Sequence, residues 1–162
     1  MKLLAPLVLL FATGLLSAAP EYPKSGPDIY DPQADGAAQV AGALKEARSG
    51  HKVVLLDLGA NWCSWCHALH RLFTTDPAVA AALDRDFVVV MIDVNTRHGV
   101  KRNADLNLKY GDPVRLGLPV LVVLDADGRQ LTTQDSGELE NGKDAHDPAK
   151  VLAFLRQWAP KG

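Results

Sequence analysis

Apolar positions fall into two alternating rhythms along this chain, and each rhythm predicts an element. Ala37, Val40, Ala41, Leu44 and Ala47 recur at helical spacing, and Gly50 ends the run. Lys52 to Leu58 is a short apolar strand pattern broken only by Asp57. Trp65, Leu69, Leu72 and Phe73 then return to the helical period and predict a helix from Cys63 to Phe73. At Asp76-Pro77 the chain stops and restarts, with an Asp N-cap and Pro in the first turn of a short helix through Val79 and Leu83. Phe87 to Val94 is almost unbroken in its apolarity, as in a strand buried on both faces. Val100, Ala104 and Leu108 mark a weaker helix that ends at Tyr110-Gly111.

Pro119 opens a further strand, Val120 to Leu124, and Asp125-Ala126-Asp127-Gly128 turns it into Arg129 to Thr133. Gln134 to His146 is polar, acidic and predicted to be a loop. Asp147-Pro148 starts a last helix whose inner face is Val151, Leu152, Leu155 and Trp158. The order α-β-α-α-β-α-β-β-α predicts an α/β fold with right-handed crossovers, a largely parallel core and a terminal antiparallel hairpin.

The N-terminus follows a different pattern. Lys2 precedes an apolar run from Leu3 to Leu16, and small residues follow at Ser17-Ala18-Ala19. Residues 1–19 therefore read as a secretory signal peptide, too short and too abruptly ended for a membrane span. Periplasmic or other export is the expectation, with no stable membrane insertion after cleavage. Residues 20–36 carry Pro23, Pro27 and Pro32 without an apolar period, as an extended arm does, leaving 37–162 as the folded domain. With 162 residues, 48% of them hydrophobic, the chain supports one core. Its net charge of −2 and lack of a basic stripe leave a nucleic-acid partner without electrostatic support. A monomer is expected.

The two cysteines, Cys63 and Cys66, sit where the central apolar strand passes into a helix. Unpaired N–H groups and the helix dipole favour an anion there, and a thiolate is one. A disulfide closing so short a loop stabilises little, so reactivity explains the pair better than stapling does. Exchange chemistry also needs a route for the second thiol's proton. Asp57 is the acidic residue of the preceding strand, and burial in apolar surroundings raises a carboxyl pKa towards neutrality.

Asp57, Trp62-Cys63-Ser64-Trp65-Cys66, the Thr74 to Val79 segment and Gly117-Leu118-Pro119-Val120 together resemble the thioredoxin superfamily. Within it, they resemble the C-terminal periplasmic thioredoxin domain of the thiol reductant DsbD and its thioredoxin-like relatives. The resemblance covers roughly 52–130. It implies a three-layer α/β/α sandwich with a central mixed sheet, and a thiol–disulfide oxidoreductase that needs no cofactor. Carried over residue by residue, Cys63 is the attacking cysteine, Cys66 the resolving one and Asp57 the proton-relaying carboxylate. Pro119 matches a cis-proline beside the disulfide, Leu118 offers its backbone to an extended substrate, and Trp62 flanks the site.

Departures from the family pattern are Ser64-Trp65 in place of Gly-Pro, and Gly59 where thioredoxins often carry Trp. Asp112-Pro113 lengthens the approach to Pro119. His67 takes a usually lysine-like position, where it either modulates the thiolate or is a solvated surface residue; His70 is expected on the surface. The short 95–118 connection favours reduction or electron relay over the oxidants that carry a large helical insertion. Protein disulfides are the expected substrates, with a membrane thiol protein as electron donor. Three rivals remain: c-type haem attachment through Cys63-x-x-Cys66-His67, a metal-binding chaperone, and a redox-inert binding module. Four ligands on one helical stretch, Cys63, Cys66, His67 and His70, converge poorly on a tetrahedral ion, so no metal site is expected.

Overall fold

A computed structural model describes residues 26–161; the expected signal peptide, 1–19, and the first part of the arm lie outside them. The central strand is β1, Val53–Gly59, every residue of which is buried. On one side it pairs in parallel with β2, Phe87–Asp93, in the register Val53↔Phe87 to Gly59↔Asp93. On the other it pairs antiparallel with β3, Val120–Leu124, and β4, Gln130–Asp135, completes the order β2-β1-β3-β4.

Strand alternation divides the apolar side chains of β1 between two cores. Val54, Leu56 and Leu58 face α1 (Gly36–Gly50) and α4 (Ala104–Lys109), meeting Val40, Ala43, Ala47, Leu106 and Tyr110. Val53 and Leu55 face α2 (Ser64–Thr75), α3 (Pro77–Asp86) and α5 (Pro148–Trp158), meeting Leu69, Phe73, Val79, Leu83, Phe154 and Leu155. Helices on both faces of a mixed sheet make the three layers that the family resemblance implied. The same alternation puts Asp57 on the α2 side of the sheet.

A largely parallel core was expected, but only β1 and β2 run parallel. The reason lies in the 95–118 connection. Its one α-helix, α4, has six residues and spans about 9 Å, whereas β2 has seven residues and spans about 23 Å. The chain does not travel back along the sheet, so β3 starts at the end where β2 stops and runs the other way. Within α4, Leu106 is buried and Leu108 is 66% exposed, so the expected inner face at Leu108 is corrected to Leu106.

Helix ends follow the sequence closely. Asp76 accepts from the Ala78 and Val79 N–H groups and Asp147 from those of Ala149 and Lys150, each followed by Pro in the first turn. The 134–146 stretch is more structured than a loop. It includes the end of β4, a 3-10 turn at Ser136–Leu139 and a bridge between Glu140 and His146. The expected arm also differs: Tyr30 is 1% exposed, folded against the domain rather than extended away from it.

Candidate active site

β1 ends at Gly59, a short turn carries Asn61 and Trp62, and Cys63 is the N-cap of α2. Cys63 and Cys66 are joined in a disulfide, with Cα atoms 5.2 Å apart. The Cys66 N–H donates to Cys63 Sγ at 3.1 Å, so the first sulfur occupies the place of a capping oxygen. In the reduced protein, a thiolate at that sulfur keeps this donor and the positive end of α2. Cys66 is fully buried behind it.

The 3-10 turn at Pro113–Leu116 brings the chain back over the disulfide. Gly117 follows with φ +107°, a conformation that suits glycine, and the Leu118–Pro119 bond is cis. The Leu118 carbonyl oxygen lies 3.6 Å from Cys63 Sγ. Pro119 is buried, and its carbonyl accepts from the Ser136 hydroxyl.

Asp57 is completely buried, and burial pushes its carboxyl up to about 7 against the opposing effect of a hydrogen bond from Tyr30. The Tyr30 hydroxyl donates to Asp57 Oδ1 at 2.8 Å, and Oδ2 has no partner among the described residues. Tyr30, Cys63 and Cys66 form one buried cluster, edged by Ile29, Trp62, Trp65, Met91 and Leu118. Trp62 is held at the rim, its Nε1–H donating to Asn95 Oδ1 at 2.9 Å, with the Arg97 guanidinium 3.2 Å above the ring centroid. Trp65 meets His146 edge to face, ring centroids 5.5 Å apart.

His67 is not the solvated surface residue that one of the two expectations made it. It is buried, and its Nε2–H donates to the Asn61 carbonyl at 2.9 Å, bracing the turn before Cys63. A haem or metal ligand through His67 Nε2 has to break that bond. His70 is half-buried, and burial lowers its pKa, with His67 adding to the effect.

Sequence reasoning missed Tyr30, Asn61, Asn95 and His146. Gly59 held the signal for Tyr30. Without a side chain Gly59 leaves a space, and the Tyr30 ring fills it. A Cβ on Gly59 would overlap the Tyr30 hydroxyl and lie 2.8 Å from Cys66 Sγ. Gly59→Ala is therefore expected to cost about 1–3 kcal/mol of stability, read as a lower urea midpoint at unchanged slope.

A disulfide on the first turn of the helix that leaves the central strand of such a sheet defines the thioredoxin-fold redox proteins. The chain belongs to the thioredoxin-like family, whose model matches residues 35–126. The thiol:disulfide interchange protein DsbD of Vibrio vulnificus (strain CMCP6) is 37% identical over 89 residues, 55% of this chain and 14% of that protein. This chain thus spans about a seventh of that relative's length. The disulphide isomerase of Xylella fastidiosa Temecula1 superposes with a TM-score of 0.69 at 36% identity, over 80% of this chain and 95% of that one. The oxidised C-terminal domain of Neisseria meningitidis DsbD superposes with a TM-score of 0.53 at 26% identity, over 77% of this chain and 97% of that domain.

Proposed function

We propose that this chain is an exported thiol–disulfide oxidoreductase that reduces protein disulfides or relays electrons to them. The observation that carries the reading is the Cys63–Cys66 disulfide capping α2 on the Asp57 side of the sheet. In the reductive direction, the Cys63 thiolate attacks a substrate disulfide. A Cys63–substrate bond forms, the substrate S–S bond breaks, and the released substrate thiolate takes up a proton. Cys66 then gives its proton to Asp57 and attacks Cys63 Sγ. The Cys63–Cys66 bond re-forms and the second substrate thiolate leaves. A carboxyl pushed up to about 7 is suited to accept that proton near neutral pH and to give it back on reduction.

Substrate docks in extended form along the backbone of half-buried Leu118, whose carbonyl is already beside Cys63, with Pro119 and Trp62 flanking it. A membrane thiol protein restores the dithiol in this reading. Export rests on the 1–19 pattern and on the DsbD-like relatives. No helix among the described residues is long and apolar enough to cross a membrane.

Thiol redox titration of the full-length mature chain, followed by Trp62 and Trp65 fluorescence, tests the reading. The expected result is one two-electron couple near the potential of a reductant, about −270 mV. A value near about −120 mV overturns the reductive direction. A pair that does not titrate overturns the exchange function itself.

A further inference from the structure

We propose that the segment preceding α1 is a built part of the redox site, and that its Tyr30 is the residue that positions the Asp57 carboxyl for proton exchange with Cys66. This rests on the role given to Asp57 above.

The segment is latched, not merely adjacent. One side chain in the turn before Cys63 holds it at three points. Asn61 Oδ1 accepts from the Ile29 and Tyr30 N–H groups at 2.9 Å each, and Asn61 Nδ2–H donates to the Tyr30 carbonyl at 2.8 Å. His67 braces the carbonyl of the same Asn61. The latch delivers an aromatic ring into a site that is otherwise made from β1 and α2. There the Tyr30 hydroxyl lies against the face of Gly59, with Cys66 Sγ against the same face and Asp57 Oδ1 2.8 Å away.

The χ2 torsion of an aspartate is broad and roughly two-fold, so an unheld carboxyl in this cavity has no single orientation. The Tyr30 bond takes one oxygen and leaves Oδ2, which has no partner among the described residues, as the oxygen available to a proton. Charge also enters. Burial disfavours the Asp57 carboxylate, and the Tyr30 hydrogen bond is the opposing influence that favours it. The ionisable group that touches it is Tyr30 on the arm, which in turn feels Asp93 at the end of β2. Asp93 has Arg102 at 3.8 Å and feels Asp28 and Asp31 of the arm. The facing strand β3 presents Leu121, which does not titrate.

Tyr30→Phe keeps the ring and removes the hydroxyl. The carboxyl titration of Asp57, followed by carbon-13 NMR in the oxidised full chain, is expected to move up by about one pH unit. At pH 7 the base-assisted release of a Cys63 mixed disulfide is expected to slow about fivefold, because a smaller fraction of Asp57 is ionised. Asn61→Ala, which unlatches the segment without touching the ring, is expected to move the same midpoint upwards.

A ring that only fills space leaves both readouts unmoved in Tyr30→Phe, and that result overturns the proposal. Asp57→Asn separates the two levels. If its release step keeps the wild-type pH dependence, the role of Asp57 fails and the Tyr30 role with it. If that dependence disappears while Tyr30→Phe matches wild type, Tyr30 alone fails.

Discussion

Cys63→Ser is expected to reduce disulfide exchange to the uncatalysed background, whereas Cys66→Ser is expected to stall it one step later with substrate held on Cys63. The asymmetry follows from position. Cys63 is the N-cap of α2, in reach of the Cys66 N–H and beside the Leu118 backbone. Cys66 is fully enclosed by the Tyr30 and Gly59 side of the cavity. A serine hydroxyl at residue 63 is a far weaker nucleophile than the thiolate that the helix terminus favours. With serine at 66, the first displacement proceeds and the second has no thiol to perform it. Mass spectrometry under non-reducing conditions should then show Cys66→Ser carrying a covalent partner that dithiothreitol removes, and Cys63→Ser carrying none. An adduct on Cys63→Ser alone would reverse the two roles.

Asp57→Asn is expected to stabilise the oxidised protein, by an amount that depends on pH. Asp57 is raised in the folded protein from an ordinary 3.8 to about 7. Between those values the native state binds the proton and the unfolded chain has already lost it. Stability attributable to Asp57 therefore falls as pH rises from about 4 to about 7, and the full cost persists above 7. Its size is about 4 kcal/mol, as an order of magnitude.

His146 acts in the opposite sense in an overlapping window. Burial pushes its pKa from 6.5 down to about 4, so its neutral form contributes stability above 6.5 that is lost as pH falls towards 4. In the wild type the two trends offset each other. Asp57→Asn removes the opposing Asp57 trend and leaves that of His146, which lowered His70 shares, so urea titrations should show stability rising from pH 4 to pH 6.5. The gain over wild type is expected near zero or slightly negative at pH 4, where a buried amide N–H without a partner is the main change. By pH 8 it should reach several kcal/mol. A gain that is equal at both pH values would mean that Asp57 does not titrate in this range.

What the sequence disclosed and what it withheld divide along physical lines. The β1 and β3 runs, the Asp-Pro helix starts at 76 and 147 and the Cys63–Cys66 junction all depend on neighbours in the chain, and all could be read from it. Strand direction did not share that property. Whether β3 is parallel or antiparallel to β1 depends on how far α4 carries the chain, and its six residues could not be counted from the weak 100–108 period. Tyr30 was missed because the Asn61 latch acts across more than thirty residues of separation and leaves no periodic mark. The surface alternative for His67 failed for a similar reason: only the path of the turn reveals the Asn61 carbonyl that holds it inside.

The return of the chain at one end of the sheet has an evolutionary consequence. β1 and β2 finish, and β3 begins, on a single edge of the molecule, where the Cys63 turn and the Leu118 turn meet. The 95–118 excursion starts and ends there, and in between it anchors to the α1-side core through Leu106 and Tyr110. Lengthening its exposed turns, with Leu106, Tyr110 and Asn103 kept in place, would reshape what approaches the disulfide, while the sulfurs and the Asp57 carboxyl stay as they are. Under the proposed function, the surface that meets a partner can therefore change at those turns without altering the sulfurs or the carboxyl beside them.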